Sequence, residues 1–326
     1  MNAPRVGILI LSWNAPGQVL ACLLSLKKLD YPNCKILVVD NGSSADCREK
    51  LGVGLRELKK TWSGLPAENL ELLEEERNLG FAGGVNRGLR RLLDQGDCDY
   101  FLLLNDDTEP EPGFLAELVA AMERDPSLGI AGPLIRAGSD SPTGWIAQGA
   151  ISLWTGSTPY SFEQPKSELV KCGMIHGCCF MIRTEVVKRI GLLDESFFAY
   201  YEESDFCVRA ARAGFGLALV KKARIFHEGG ASMRKVSRLK EYLMVRNRLW
   251  FVKRNGSLLQ LVAAVAWMGA YHLPKRLVRL ALDRKWSNIA VLIPAFWHGL
   301  FAPSAGRCAE LIRKLQVSRV PETTES

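Results

Sequence analysis

The feature that most constrains the fold is a series of short, uninterrupted apolar runs that end in turn-forming residues. Residues 5–13 read RVGILILSW and residues 34–44 read CKILVVDNGSS, and both runs are rich in Ile, Leu and Val. Such runs are typical of strands that are buried on both faces. Between them, residues 18–29 (QVLACLLSLKKL) have apolar residues at helical spacing. A strand, a helix and a strand in succession predict a parallel sheet with a right-handed crossover.

The same pattern continues through the first two thirds of the chain. Further strands are predicted within residues 69–76, 99–108 and 129–136, and a strand followed by a helix within residues 172–191. Helices are predicted over residues 112–126 and 202–215, the second closed by Gly214 at its C-cap. Residues 137–167 are rich in Gly, Ser, Pro and aromatic residues without a clear period, which predicts loops or a variable hairpin region.

Composition and charge fit a globular chain with an unequal distribution of charge. The chain has 326 residues, of which 48% are hydrophobic and 24% charged, enough for one sizeable core and a smaller appendage. Residues 1–220 hold 22 Lys and Arg against 29 Asp and Glu, whereas residues 221–320 hold 20 against 4. The basic segment predicts an anionic partner, such as a membrane surface, nucleic acid or a phosphorylated substrate. Nine cysteines without a CxxC pair favour a reducing cytosol, and the first apolar run is predicted as a buried strand, not an export signal.

Beyond residue 237 the pattern changes to basic helices with interleaved aromatic residues. Residues 257–274 are nearly all apolar, but a run of about 16 such residues is shorter than the roughly 20 that cross a bilayer. Two interpretations stay open: a basic helical bundle packed on the main domain, or helices that lie in a membrane interface. We therefore predict two domains, residues 1–236 and a basic, aromatic-rich helical extension of residues 237–326.

A pair of adjacent carboxylates ends one of the predicted buried strands. Residues 101–104 are large and apolar, and Asn105, Asp106 and Asp107 follow at once. In open α/β sheets, ligands bind beyond the carboxyl ends of the strands. Two neighbouring carboxylates repel each other at low dielectric, and a divalent cation that also binds substrate phosphates relieves this repulsion. The alternative is that these residues are ordinary turn formers ahead of the prolines that follow.

Two other segments place polar residues and glycines where strands end or helices begin. VVDNGSSAD puts Asp40 at the end of the second strand, where a carboxylate can accept hydrogen bonds from a base or ribose. RNLGFAGGVNRG puts several glycines around a helix start, where the backbone can approach a ligand closely. Each residue taken singly is explained equally well as a turn former. The order of the segments along the chain is much more specific than any one of them.

That order resembles the inverting glycosyltransferases of family 2, and most closely their bacterial rhamnosyltransferase-like members. The resemblance covers roughly residues 5–255 and runs through ILSWN, VVDNGSSAD, RNLGFAGGVNRG, LLLNDDTEPEPGF, the segment from HGCCF to ARAGF, and FHEGGAS. It implies an α/β fold of the GT-A type, the fold of nucleotide-diphospho-sugar transferases. In that fold a Rossmann-like, mostly parallel sheet is flanked by helices, and here the basic helical extension would follow it.

The resemblance also implies a donor site and a metal. The nucleoside diphosphate is expected to contact the first two strand ends and the glycine-rich turn, while Asp107 is the main expected ligand of Mg²⁺ or Mn²⁺. Asp106 is expected to contact ribose or to play a secondary part, and His227 matches a family histidine near the metal and diphosphate. The first acid of the family's DxD-like triplet is Asn105 here. The remaining residues implied in donor binding are Asn14, Asp40, Asn41, Ser43, Asn78, Gly80, Gly83 and Asn86.

The acidic motif of the family falls on residues 202–205, which read EESD. Where the family has Glu followed by Asp, this chain has Glu202 followed by Glu203. The second acid is the general base in the family, so Glu203 is the first candidate and Asp205 the second. The alternative is that these acids merely complement the dipole of the helix that begins there.

Together these features predict an inverting, metal-dependent hexosyltransferase. It would move a sugar such as rhamnose from a nucleoside-diphosphate sugar to a hydroxyl of a saccharide or lipid-linked acceptor, in bacterial cell-surface polysaccharide assembly such as that of O-antigen. The basic extension suits an anionic membrane, so a cytoplasmic location at the inner face of the cell membrane is expected, with no nucleic-acid partner. Two alternatives stay open, a nucleotidyltransferase and a non-enzymatic nucleic-acid-binding protein. The donor sugar, the acceptor and the oligomeric state are left open.

Overall fold

The computed structural model describes residues 3–62, 64–138, 143–228 and 237–301, together with residue 312. The chain divides into two compact units. The first, called the sheet unit below, comprises the described residues up to Ile151, Thr158–Phe198 and those from Glu202 to residue 228. The second, called the helical unit, comprises Ser152–Ser157, Ala199–Tyr201 and the described residues from 237 onward. The predicted domain boundary adjoins residues 229–236, which lie outside the described ranges, as does part of the FHEGGAS segment.

Four parallel strands form one half of the sheet, and they are the apolar runs predicted from the sequence. They lie in the order β3, β2, β1, β4, and every residue of β2 is buried. Because the strands are parallel, their carboxyl ends meet at one edge, where Ser12 lies opposite Asp40 and Leu11 opposite Asn105. The bounds are β1 Val6–Ser12, β2 Cys34–Asp40, β3 Leu70–Glu74 and β4 Tyr100–Asn105.

The other half of the sheet is mixed. It continues from β4 through β9, β6 and β10 to β5, with β9 antiparallel to both neighbours and β6 parallel to β10. The short strand β5 pairs antiparallel with the end of β10, so that Thr108 lies opposite His227. The bounds are β5 Thr108–Pro110, β6 Leu128–Ala137, β7 Trp145–Ile146, β8 Leu169–Lys171, β9 Cys179–Arg183 and β10 Gly216–His227.

Six helices of the sheet unit cover the two faces of the sheet. In β1, Ile8 and Ile10 face one apolar cluster, while Leu9 between them faces the other, which contains Val85 and Leu89. All five side chains are at most 1% exposed, and burial of each contributes about 1.5–3 kcal/mol to folding. The bounds are α1 Pro16–Leu26, α2 Ala45–Thr61, α3 Gly80–Gln95, α4 Phe114–Arg124, α5 Thr184–Ile190 and α6 Glu202–Arg212.

The helical unit is built on one long, largely buried helix. This helix, α7 (Ser237–Asn255), packs closely against α11 (Leu292–Phe301), since a Cβ at Gly299 would lie 2.7 Å from the Arg246 carbonyl oxygen. Between them run α8 Leu258–Trp267, a π-helical turn Met268–His272, α9 Leu273–Leu282 and α10 Trp286–Ile289. Over the described residues, no helix combines the length and the apolarity that crossing a membrane requires.

Close packing of α3 on the sheet gives a prediction about Gly88. A Cβ at this position would collide with Leu9 and lie 3.0 Å from Val39 Cγ2. We expect Gly88→Ala to lower the free energy of unfolding by about 1 kcal/mol or more, because overpacking outweighs the helix propensity gained. Gly52→Ala is the matched control, since a Cβ there would meet only the end of the Arg56 side chain, at 3.5 Å. Urea unfolding measures both variants, and equal stability of the two would contradict the prediction.

Candidate functional site

The ends of β1 and β2 are joined by a network of polar side chains. The backbone N–H of Asn41 donates to the Ser12 carbonyl at 2.8 Å. Asn14, with a positive φ of 52°, donates its backbone N–H to Ser43 Oγ at 2.8 Å. Its side-chain Oδ1 in turn accepts from the Ser44 N–H at 2.8 Å. Asn14 and Ser43, both predicted to contact the nucleotide, are thus held in one fixed turn beside Asp40.

Asp40 is buried, and one of its carboxylate oxygens has no protein partner. Oδ1 accepts from the Ser43 N–H at 2.9 Å and lies 3.5 Å from Arg48 Nε. Oδ2 is buried and has no hydrogen-bond partner in the described part of the chain. A buried acceptor without a donor is costly, so this oxygen is suited to accept a hydrogen bond from a ligand.

Asn41 and Asn78 shape the turn that leads into α3. Asn41 Nδ2 donates to the Gly80 carbonyl at 3.0 Å and to Asn78 Oδ1 at 3.2 Å. Asn41 Oδ1 accepts from the Leu79 N–H at 3.0 Å. Gly80 has a φ of +78°, and a Cβ there would lie 2.5 Å from the Phe198 carbonyl oxygen. The two asparagines therefore hold the backbone of the glycine-rich turn, and a residue other than Gly80 would be strained.

Two further predicted residues lie in the first turns of α3. A Cβ at Gly83 would lie 2.8 Å from Cβ of Leu79. Asn86 is 1% exposed, and its amide bridges to the segment ahead of α6. Its Nδ2 donates to the Leu193 carbonyl and to Glu195 Oε1, both at 2.9 Å, while its Oδ1 accepts from the Leu193 N–H at 3.0 Å. The hydrogen bonds of the Asn86 amide thus hold residues 193–195.

Asp106 and Asp107 follow β4 directly, in the turn that leads to β5. Burial, together with the charge of Asp107, raises the pKa of Asp106 to about 8. Burial also acts to raise the pKa of Asp107, but the contact with His227, together with hydrogen bonds from the backbone and from Asn105, outweighs burial, and the pKa is lowered. Asp107 Oδ1 lies 3.2 Å from His227 Nε2, and both side chains are 6% exposed. The pKa values of the two neighbouring acids are therefore shifted in opposite directions, and Asp107 is the one that is held as a carboxylate.

Asp107 and His227 have side-chain atoms that could bind a metal ion. Neither Asp107 Oδ1 nor the two ring nitrogens of His227 have a well-aligned hydrogen bond in the described residues. A carboxylate oxygen suits Mn²⁺ or Mg²⁺ when substrate phosphates complete the shell, and a neighbouring imidazole nitrogen favours Mn²⁺ of the two. Across the described residues, no three His, Cys, Asp or Glu side chains are grouped so that they could hold a metal alone. The residues present fit a metal that is shared with a diphosphate, because one carboxylate usually suffices for such an ion.

His176 stands beside this pair and was not singled out from the sequence. Its ring packs edge-on against His227 at 5.7 Å and lies 4.8 Å from the Tyr160 ring. Nδ1 accepts from the Cys178 N–H at 3.1 Å, and burial lowers the pKa of His176 to about 3. The residue is therefore a neutral imidazole. Its signal in the sequence was its place in the turn ahead of β9, within the HGCC segment.

Three acids begin α6, and their surroundings differ. Glu202 is 5% exposed. Its burial, and to a smaller extent the charge of the neighbouring Glu203, raise its pKa well above the ordinary value. Glu203 packs against the turn ahead of β9, where a Cβ at Gly177 would lie 3.3 Å from Glu203 Cγ. Asp205 is fully buried and forms a 2.7 Å ion pair with Arg209, one helical turn further on. Arg209 also donates to the Ile190 and Leu192 carbonyls, which ties Asp205 into the support of α6.

Comparison with known proteins identifies relatives along most of the chain. The model of "Glycosyl transferase family 2" matches residues 7–191, and that of "Glycosyl transferase family group 2" matches residues 100–304. The low-salt glycan biosynthesis hexosyltransferase Agl10 of Haloferax volcanii is 28% identical over 274 residues, 82% of either chain. The N-acetylglucosaminyl-diphospho-decaprenol L-rhamnosyltransferase of Mycobacterium tuberculosis is 29% identical over 49% of this chain and 59% of its own. The dTDP-rhamnosyl transferase RfbF of Shigella flexneri is 23% identical over 78% of this chain and 82% of its own.

Two solved structures share the fold. A mannosyltransferase from Pyrobaculum calidifontis, in complex with GDP-mannose and Mn²⁺, superposes with a TM-score of 0.57 at 18% identity. The superposition covers 92% of this chain and 88% of the mannosyltransferase chain. GalNAc-T7 with UDP, GalNAc and Mn²⁺ superposes with a TM-score of 0.55 at 18% identity, over 83% of this chain and 58% of its own. At this level of identity the likeness concerns the fold.

Proposed function

Because this chain belongs to glycosyl transferase family 2, we propose that it transfers a hexose such as rhamnose, with inversion, from a nucleoside-diphosphate sugar. The acceptor is a hydroxyl of a saccharide or a lipid-linked saccharide in the assembly of a cell-surface polysaccharide. The family and the GT-A fold predicted from the sequence are confirmed, and with them a nucleotide-sugar glycosyltransferase. The two alternatives, nucleotidyl transfer and nucleic-acid binding, are set aside by the family.

The observation that carries the proposal is the buried pair of Asp107 and His227 at the end of β4. Asp107 Oδ1 and His227 Nε2, the atoms that would bind the metal, lie 3.2 Å apart, at the sheet edge where ligands of α/β proteins bind. Asp107 and His227 would hold Mg²⁺ or Mn²⁺, which when bound neutralises charge on a departing nucleoside diphosphate. The Mn²⁺ in both similar structures supports this assignment.

The donor nucleoside is assigned to the edge formed by β1 and β2. Asp40 Oδ2 is buried and offers an acceptor to an N–H of the base or an O–H of ribose. Asn14 and Ser43 fix the turn beside it. Burial raises the pKa of Asp106 to about 8, so this acid is mostly protonated near pH 7 and is able to donate a hydrogen bond to the ligand as well as to accept one.

Glu203 is the proposed general base. The acceptor O–H gives its proton to the Glu203 carboxylate as its oxygen bonds to the anomeric carbon, and the bond from that carbon to the diphosphate breaks. The second candidate, Asp205, is already neutralised by Arg209 at 2.7 Å and is fully buried, which favours Glu203. Because the acceptor oxygen displaces the diphosphate directly, no covalent enzyme intermediate forms, and the configuration at the anomeric carbon inverts.

Metal binding tests the assignment of Asp107 without any transfer reaction. We expect Asp107→Asn to weaken binding of Mn²⁺ in the presence of dTDP or UDP by roughly 10-fold to 100-fold, because the carboxylate ligand is lost. Electron paramagnetic resonance of free Mn²⁺ measures this. Glu109→Gln is the control, since it removes an exposed acid two residues away. Equal Mn²⁺ affinity of the two variants would show that Asp107 is not a ligand.

Turnover tests the assignment of Glu203. A panel of dTDP-rhamnose, UDP-glucose, UDP-N-acetylglucosamine and GDP-mannose first identifies the donor. Glu203→Gln should then lower kcat by about 100-fold to 10,000-fold, with little change in the affinity for dTDP or UDP, because only proton removal is lost. Product NMR gives the anomeric configuration, and retention would contradict single displacement. A Glu203→Gln enzyme with normal kcat would exclude Glu203 as the base.

Exposed apolar side chains of the helical unit support binding to an anionic membrane. Within residues 237–301 there are 11 Lys and Arg against 2 Asp and Glu, so the apolar side chains lie in a strongly basic segment. This combination suits the headgroup region of an acidic bilayer. We assign the protein to the inner face of the cell membrane as a peripheral protein. Among the described residues of the helical unit, the exposed large hydrophobic side chains are Trp154, Met244, Leu258, Leu259, Val262, Tyr271, Val278, Leu282, Trp286, Ile293, Trp297 and Phe301.

Sedimentation with vesicles tests the membrane assignment. The protein should sediment with vesicles rich in phosphatidylglycerol at low salt, and less at high salt or with phosphatidylcholine alone. Leu282→Ser combined with Trp286→Ser should weaken binding about 10-fold or more, since burial of each large apolar side chain in the bilayer contributes about 1.5–3 kcal/mol to the binding free energy. Leu24→Ser combined with Val53→Ser removes exposed apolar residues of the sheet unit and should leave binding unchanged. Equal losses in both variants, or no sedimentation at all, would contradict the assignment.

A further inference from the structure

The segment that enters α6 has a costly backbone conformation. Phe198, Tyr200 and Tyr201 have φ values of 65°, 69° and 73°, in the left-handed region that large side chains rarely adopt. α6 begins at the next residue, and Glu203 lies in its first turn. Strained residues of this kind persist only where the surrounding structure holds them. The source of that restraint is therefore part of how the first turn of α6 is placed.

Asn247 of α7 provides the restraint. Its side chain is fully buried, and Nδ2 donates two hydrogen bonds, to the carbonyls of Ala199 and Tyr200, each at 2.8 Å. Its Oδ1 accepts from Arg246 Nη1 at 2.7 Å, which fixes the orientation of the amide. An amide NH₂ is the side-chain group that can donate to two carbonyls at once while its oxygen accepts from a cation.

Tyr201, the next residue along the segment, is held by two contacts of its own. Its hydroxyl donates to the Gly156 carbonyl at 3.0 Å, and its ring packs on Phe251 at 5.5 Å. Gly156, Tyr201, Phe251 and Asn247 all belong to the helical unit. Ala199–Tyr201 are thus held by contacts within the helical unit, and the chain continues from Tyr201 directly into α6.

We propose that Asn247 is a positioning residue for Glu203. Its two hydrogen bonds hold Ala199 and Tyr200 in the conformation from which α6 starts with the Glu203 carboxylate in place. This inference rests on the proposed function, in which Glu203 is the general base. It gives Asn247 a part in the transfer step that is separate from membrane binding.

The variant Asn247→Asp tests the inference with the smallest change in shape. A carboxylate cannot donate, so two carbonyls lose their partner and face a negative charge instead. Asn288→Asp is the matched control, because Asn288 is 4% exposed in the same unit and its Oδ1 accepts from the adjacent Ser287. Hydrogen exchange of the backbone amides in residues 199–206 is the first readout. We expect faster exchange there in Asn247→Asp and wild-type exchange in Asn288→Asp.

Kinetics provide the second readout. We expect Asn247→Asp to lower kcat by about 10-fold to 100-fold, as placement errors near 1 Å do, while the affinity for dTDP or UDP changes less than about two-fold. A purely structural loss would instead lower the amount of active enzyme and its thermal stability, as in Asn288→Asp. Unchanged exchange at residues 199–206, or a kcat equal to that of the control, would overturn the inference.

A double-mutant cycle separates this inference from the proposed function. If Asn247 acts through Glu203, adding Asn247→Asp to Glu203→Gln should lower kcat by less than about three-fold further. Multiplied losses would show that Asn247 acts elsewhere and would overturn the inference alone. A normal kcat for Glu203→Gln would instead refute the proposed base. The exchange measurement needs no substrate, so it decides whether Asn247 holds the segment even if no donor of the panel is used.

Discussion

The pairing of β5 with the end of β10 is the constraint on which the site depends. Only three residue pairs form it, yet it brings His227 opposite Thr108, directly beside Asp107. The Glu228 N–H also donates to the Asp107 carbonyl at 3.1 Å, which closes the turn after β4. Residues that are 120 positions apart in the chain therefore meet as one buried pair. Without this register the carboxylates after β4 would be turn residues of the ordinary kind.

Much of the fold could be predicted because its signals are local. The runs that form β1, β2 and β4 are mostly apolar, with Lys35 the one charged residue ahead of their polar ends, and near-continuous apolar runs are typical of strands that are buried on both faces. β10 was not predicted, because Lys221, Lys222 and Arg224 interrupt its apolar run at a point where the register with β6 also shifts. The ends of strands were predicted for the same local reason, and most of the candidate residues lie there.

The partners of the candidate residues could not be predicted, because they depend on contacts between distant segments. The sequence predicts that Asn86 contacts the donor, and its side-chain amide forms hydrogen bonds with residues 193–195. Nothing near it in the sequence indicates this. Asp205 is different, since Arg209 follows it by four residues, the spacing at which side chains of a helix meet. That ion pair was available to sequence reasoning, and it separates Asp205 from Glu203.

The short contact between the glycine-rich turn and the segment ahead of α6 has a consequence for protein engineering. The Ala82 N–H donates to the Phe198 carbonyl at 3.1 Å, and the absence of a side chain at Gly80 is what lets Phe198 come so close. The turn assigned to the donor and the segment that leads into the acids of α6 are joined by this contact. Chimaeras that graft one loop from a relative with another sugar preference would have to graft both, since either one alone would arrive without its counterpart.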